Sequence, residues 1–148
     1  MADFIRASSR LRSAAAAVLL AGCVTMAWAG EPISVVYHLN EGLGQAQRAI
    51  GNIRNHLNAE PSTKIVVVTH GKGIDFLLEG AKNDQGQEFS AAVAELAGRG
   101  VEFSVCNNTL AGRSIPKDKV LMEAKVVPSG VAEIAKLQAE KHFAYLRP

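Results

Sequence analysis

Cysteine is scarce in this chain. There are two, Cys23 and Cys106, among 148 residues, with a single tryptophan. Cys23 falls in an N-terminal stretch that reads as an export leader, so the mature region cannot close a disulfide within itself. An unpaired cysteine in an exported protein points either to pairing between molecules or to a reactive thiol. Surplus charge is missing too. The chain carries 16 Lys and Arg against 14 Asp and Glu. Arg6, Arg10, Arg12 and Asp3 all lie in residues 1–29, and setting those aside leaves 13 basic and 13 acidic residues. That balance argues against a nucleic-acid surface. It leaves little net repulsion between copies, which makes self-association easier. Internal repeats, low-complexity tracts and a second long apolar run are absent after the leader.

The leader itself has three arginines, then the apolar run Ala14-Ala15-Ala16-Ala17-Val18-Leu19-Leu20-Ala21-Gly22, then Ala27-Trp28-Ala29 as an A-x-A cleavage site. The apolar stretch is too short for a membrane span. Cleavage after Ala29 gives residues 30–148 as one domain, exported to a bacterial periplasm. Leu20-Ala21-Gly22-Cys23 offers a rival, because it looks like a lipoprotein lipobox. Lipidation at Cys23 would then anchor the protein to a membrane, its one expected membrane contact. Under either processing route Cys106 is the sole unmodified thiol.

Beyond the leader, short β-branched runs alternate with amphipathic helices. Residues 33–38 form the first expected strand. Leu43, Ala46, Ile50, Ile53 and Leu57 then make one helical stripe. Residues 64–69 run apolar without alternation, as a central parallel strand does. A short helical stretch follows at 74–79, and a turn at 83–86. Phe89, Ala92, Val93 and Leu96 form the next stripe, stopped by Gly98 and Gly100. Residues 101–105 are the third strand. A short helix at 108–112, a strand at 125–127, a helix capped by Ser129 and a last strand at 143–146 complete the pattern. Strands and helices alternating at this spacing predict right-handed crossovers and an α/β fold, a mainly parallel five-stranded sheet covered on both faces. A flavodoxin-like order, 2-1-3-4-5, would put the ligand crevice between the first and third strands.

Cys106 closes the third strand and is followed by Asn107-Asn108-Thr109. A thiol there faces the start of a helix, where backbone N–H groups and the helix dipole favour the thiolate. Asn107, Asn108 and Thr109 can add side-chain donors or cap the helix. The plain alternative is a buried cysteine acting as a small hydrophobe. His38 and His70 each end a strand. As imidazolium either would lower the thiol pKa, and as neutral imidazole either could take its proton; structural hydrogen bonding is the simpler role. His56 and His142 have no evident part. His70-Gly71-Lys72-Gly73 lacks the third glycine of a dinucleotide fingerprint and the Lys-Ser/Thr of a phosphate loop. Its glycines fit a tight turn with positive φ or a close backbone approach. No ligand-spaced His and Cys pair marks a metal site, no Gly-x-Ser-x-Gly elbow marks a hydrolase, and no cofactor is expected.

Taken together, Val36-Tyr37-His38-Leu39-Asn40, Asn52-Ile53-Arg54-Asn55-His56-Leu57, Val66-Val67-Val68-Thr69-His70-Gly71, Gly73-Ile74-Asp75-Phe76-Leu77-Leu78, Gly100 to Thr109 and Val127-Pro128-Ser129-Gly130-Val131 resemble the DsrE/DsrF-like family in its exported single-domain form. The resemblance implies a flavodoxin-like three-layer sandwich and a homo-oligomer. It also implies a sulfurtransferase-like or carrier role in which Cys106 holds sulfane sulfur as a persulfide. His38 and His70 would assist, and Asn40, Gly71, Asn107, Asn108 and Thr109 would line the substrate. The donor and acceptor, protein or small thiol, are left open. Two other readings stand beside it. One is a non-catalytic oligomeric binding or assembly module. The other is a thiol redox sensor, which needs two Cys106 residues to meet or a sulfenate to form.

Overall fold

A computed structural model describes residues 32–148. The expected leader, with its expected cleavage site, Cys23 and Trp28, lies outside the described residues. Five strands form one sheet, β1 (Ser34–Leu39), β2 (Lys64–Thr69), β3 (Glu102–Cys106), β4 (Ala124–Val127) and β5 (Ala144–Leu146). Four helices join them, α1 (Leu43–Ala59), α2 (Phe89–Gly98), α3 (Asn107–Gly112) and α4 (Gly130–Lys141). A 3-10 segment, Gly71–Leu77, stands where a short helix at 74–79 was expected. Every strand pairing is parallel.

The strand order is β4-β3-β2-β1-β5, not 2-1-3-4-5. The chain advances one strand at a time from β1 to β4 and makes its single long return at the end, to pair β5 with β1. Right-handed crossovers then dictate where the helices go. The three forward steps share one face of the sheet, and the backward step lies on the other.

The core follows that division. On the forward face, twenty buried apolar side chains form one cluster. Ala46, Ala49, Ile50, Ile53 and Leu57 come from α1, Ile74, Phe76 and Leu77 from the 3-10 segment, and Phe89, Val93 and Leu96 from α2. The Phe76 ring meets Phe89 and Phe103 edge-on, with centroids 5.9 and 6.3 Å apart. On the return face, α4 works alone. Its Ile134 and Leu137, with Phe143, cover Val36, Val66 and Val68.

Candidate functional site at the carboxyl end of the sheet

Side chains alternate across a strand, so the α4 face continues from Val36 to His38, from Val66 and Val68 to His70, and from Ser104 to Cys106. The pairings Val36 with Tyr145 and Cys106 with Val127 place Tyr145 on the same face and Val127 beside the cysteine. His38, His70, Cys106 and Tyr145 therefore share the face that one helix covers.

Cys106 sits at a divergence of the chain. After β3 the backbone turns into α3, whose Leu110 joins the forward core. After β4 it turns into α4 on the return face. Adjacent strands whose connections leave for opposite faces open a crevice at their carboxyl ends. The crevice lies between β3 and β4, not between β1 and β3 as the flavodoxin order would place it. Cys106 still falls in it, for a different reason than the sequence implied. A cavity of about 230 Å³ lies near the carboxyl ends of these two strands, lined by Asn107, Lys117, Val126, Val127 and Pro128 but not by Cys106 itself. A larger cleft, about 400 Å³ between α1 and α2, lies on the other face and gathers no comparable chemistry.

The sulfur is well supplied with donors. Cys106 is 5% exposed. Burial pushes its thiol up, but the Gly130 amide, the Thr109 hydroxyl and the amides of Thr109 and Asn108 together bring it below the ordinary value. Gly130 opens α4, where Ser129 caps the helix by accepting the Ala132 N–H at 3.5 Å. A side chain there would be crowded. A Cβ on Gly130 would stand 3.0 Å from the Thr69 carbonyl oxygen, 3.2 Å from the His70 Cβ and 3.3 Å from the Cys106 Cβ. The same contacts show that His70 and Cys106 flank one point.

Thr109 has a fixed orientation. Its Oγ1 accepts the Gly71 N–H at 3.0 Å, which leaves its own proton free to serve the sulfur. Gly71, at φ +56°, needs its conformational freedom, and its carbonyl accepts from Arg113 Nη1 at 3.2 Å. Arg113 also pairs with Asp75 at 2.5 Å. Gly73 meets the second expectation for this loop, since a Cβ on it would run into the Leu39 carbonyl.

The histidines meet each other. His38 Nε2 lies 2.7 Å from His70 Nε2, and His38 Nδ1 lies 2.6 Å from the Tyr145 hydroxyl. Burial, then the charges of His70 and Arg147, lowers His38 below the ordinary imidazole value; burial and Arg147 lower His70. That lowering favours the neutral form of both rings near pH 7, and with it the role of a neutral base over that of an imidazolium. Among the described residues no three His, Cys, Asp or Glu side chains are grouped to hold a metal ion.

The five residues expected to line a substrate fare unequally. Asn107 borders the cavity, and Asn108 and Thr109 serve the sulfur directly. The Gly71 amide is already spent on Thr109. The backbone of Asn40 is tied into the scaffold, while its side-chain Oδ1 is buried without a hydrogen-bond partner. Its N–H and that of Glu41 each donate to Gln45 Oε1 at 2.9 Å, while Gln45 Nε2 donates to the Pro148 carbonyl at 3.1 Å. The sequence reading passed over Tyr145, Gly130 and Gln45. Gly130 carried a signal, a glycine directly after an N-cap serine; Tyr145, 107 residues from His38, carried none.

Comparison with curated proteins finds no match. The solved structure of the protein of unknown function MTH1491 from Methanobacterium thermoautotrophicum is 33% identical, with a TM-score of 0.70, over 78% of this chain and 99% of that one. The ychN protein from E. coli is 15% identical, with a TM-score of 0.62 and the same coverage, a likeness that shows the fold alone. The model of the DsrE/DsrF-like family matches residues 12–147, starting inside the expected leader. With nine-tenths of its length matched by that model, the chain belongs to the DsrE/DsrF-like family.

Proposed function

We propose that this protein is a sulfur carrier whose Cys106 takes up sulfane sulfur as a persulfide and hands it to an acceptor thiol. Its family is associated with sulfur relay. The observation that carries the reading is the place of Cys106, the last residue of β3, directly before α3 and packed against the Gly130 start of α4, where the neighbouring amides and the Thr109 hydroxyl lower its thiol. Donors aimed at a sulfur stabilise an anion, either the attacking thiolate or the persulfide that replaces it.

The chemistry balances without an external oxidant. The Cys106 thiolate attacks the outer sulfur of a sulfane donor. A new S–S bond forms as the donor's S–S bond breaks, and the electron pair leaves with the donor's remaining thiolate or sulfinate. An acceptor thiolate then attacks the outer sulfur of the persulfide and releases Cys106 as thiolate. Asn107 and the cavity beside it would receive the donor. Export by the leader would place this exchange in the periplasm, soluble or tethered through Cys23. The thinly covered α4 face would suit assembly into a homo-oligomer.

Intact mass of the protein before and after a sulfane-sulfur donor, beside Cys106→Ser, tests the proposal. A gain of sulfur in the wild type alone, reversed by a reducing thiol, is the expected result. Equal loading of the serine variant would overturn it.

Burial favours a second reading. At 5% exposure Cys106 also fits a packed residue of a binding or assembly module. On that reading alkylation is slow in the native protein and fast after unfolding.

A further inference from the structure

The two histidines present their Nε2 atoms to each other at 2.7 Å. Two bare nitrogens at that distance would repel, and two N–H groups would collide, so a single proton lies between the rings. The same constraint runs on to Tyr145. If His38 holds its proton on Nδ1, it donates to the Tyr145 oxygen at 2.6 Å and accepts from His70 at Nε2. If Tyr145 donates to His38 Nδ1, then His38 donates to His70. The protonation of His70 Nδ1 is thereby tied to the Tyr145 hydroxyl, which His70 does not touch.

The ends of this chain face different surroundings. Tyr145 is 41% exposed on the short edge strand β5. Extending the pairing of Thr69 with Val105 by one residue sets His70 across from Cys106, and Gly130 packs against the Cβ atoms of both. We infer that Tyr145, His38 and His70 form one hydrogen-bonded relay that moves a proton between the Cys106 crevice and solvent. The relay deepens the carrier proposal, and rests on it only for the origin of the proton.

The transfer conserves protons. The Cys106 thiol, which shares no direct hydrogen bond with His70, gives its proton by way of one water to His70 Nδ1. His70 passes its Nε2 proton to His38 Nε2, and His38 passes its Nδ1 proton to the Tyr145 oxygen. The original hydroxyl proton of Tyr145 leaves to water. Both rings end neutral in the alternative tautomer, consistent with the lowering of both imidazoles. The reverse sequence returns a proton when Cys106 leaves as the thiol. The other charged groups at the pair are Arg147, which follows β5, and Glu41, which holds Arg147 at 2.9 Å. Tyr145 is a positioning residue here, acting through His38.

Long-range ¹H–¹⁵N NMR of the imidazoles tests this in the full chain. In the wild type the facing Nε2 atoms of His38 and His70 should differ, one protonated and one not. In Tyr145→Phe the nitrogen shifts of His70 should move as well as those of His38. Sulfur loading at neutral pH should slow about tenfold, short of the roughly 10² to 10⁴ that a general acid–base group supplies. Added imidazole buffer should restore part of the rate. A His70 spectrum indifferent to Tyr145→Phe, or facing nitrogens in the same state in the wild type, would overturn the relay. The wild-type spectrum needs no variant to fold. If the nitrogens are coupled but Cys106 never loads, the relay stands and the carrier reading falls; loading with uncoupled histidines does the reverse.

Discussion

The two faces of the sheet are built to different ends. The forward face gathers twenty buried apolar side chains from three strands and most of the helices. The return face has six and one helix. At roughly 1.5–3 kcal/mol for each fully buried large apolar side chain, the forward face supplies most of the hydrophobic stabilisation. The return face carries Cys106, His38, His70 and Tyr145. The asymmetry follows from topology. Three forward crossovers of one hand must share a face, and one backward crossover must take the other. A face spared dense packing can hold polar side chains that a full core would exclude.

Cys106→Ser should sharpen this contrast most. Sulfur loading is lost, while thermal and denaturant unfolding keep a native, cooperative transition, because the serine oxygen meets the same donors. Next come substitutions in the two cores. Phe103→Ala on the forward face should cost about 3–5 kcal/mol, and Ile134→Ala on the return face about 2 kcal/mol, both read by urea unfolding. Equal costs would break the comparison. Gly130→Ala should cost about 1–3 kcal/mol by crowding Thr69, His70 and Cys106. Unlike either core variant, it should also raise the Cys106 thiol, as the pH dependence of alkylation would show.

Thr109→Val should raise the thiol with a smaller loss of stability, and Thr109→Ser should restore it. Failure of serine to restore it would mean that the hydroxyl proton does not serve the sulfur. The smallest effects concern pH and stability. The Cys106 thiol is lower in the folded state, so its contribution is complete above the unfolded thiol's value and is lost as pH falls through the folded one. His38 and His70 are also lowered. The unfolded chain binds their protons first on acidification, so stability falls from the ordinary histidine value down to their folded values. Gln at both positions should flatten that decline.

Much of the scaffold was legible in local sequence. The stripe from Leu43 to Leu57 became α1, and the unbroken run at 64–69 became a strand buried on both faces. Cys106 was legible as a strand end before a helix, since that requires only neighbours in sequence. Strand order was not legible, because it depends on which strands meet after long crossovers. The exposed three-residue strand β5 gave no sign that it would return to β1 and bring Tyr145 to His38. Gly71 and Gly73 meet the expectation for this loop because a positive φ at the one and backbone crowding at the other select glycine whatever the partner. The lowering of both histidines was not legible either, because burial and Arg147, its causes, are tertiary effects.

The most direct test of the account is the rate at which native Cys106 reacts with a small uncharged alkylating agent across pH, set against the unfolded chain. The account predicts that the folded protein reacts without unfolding, along a titration displaced below the ordinary thiol value and shifted upward by Thr109→Val. Reaction only on unfolding, with the thiol silent at every pH where the fold persists, would contradict it and leave Cys106 as a packed residue of the core.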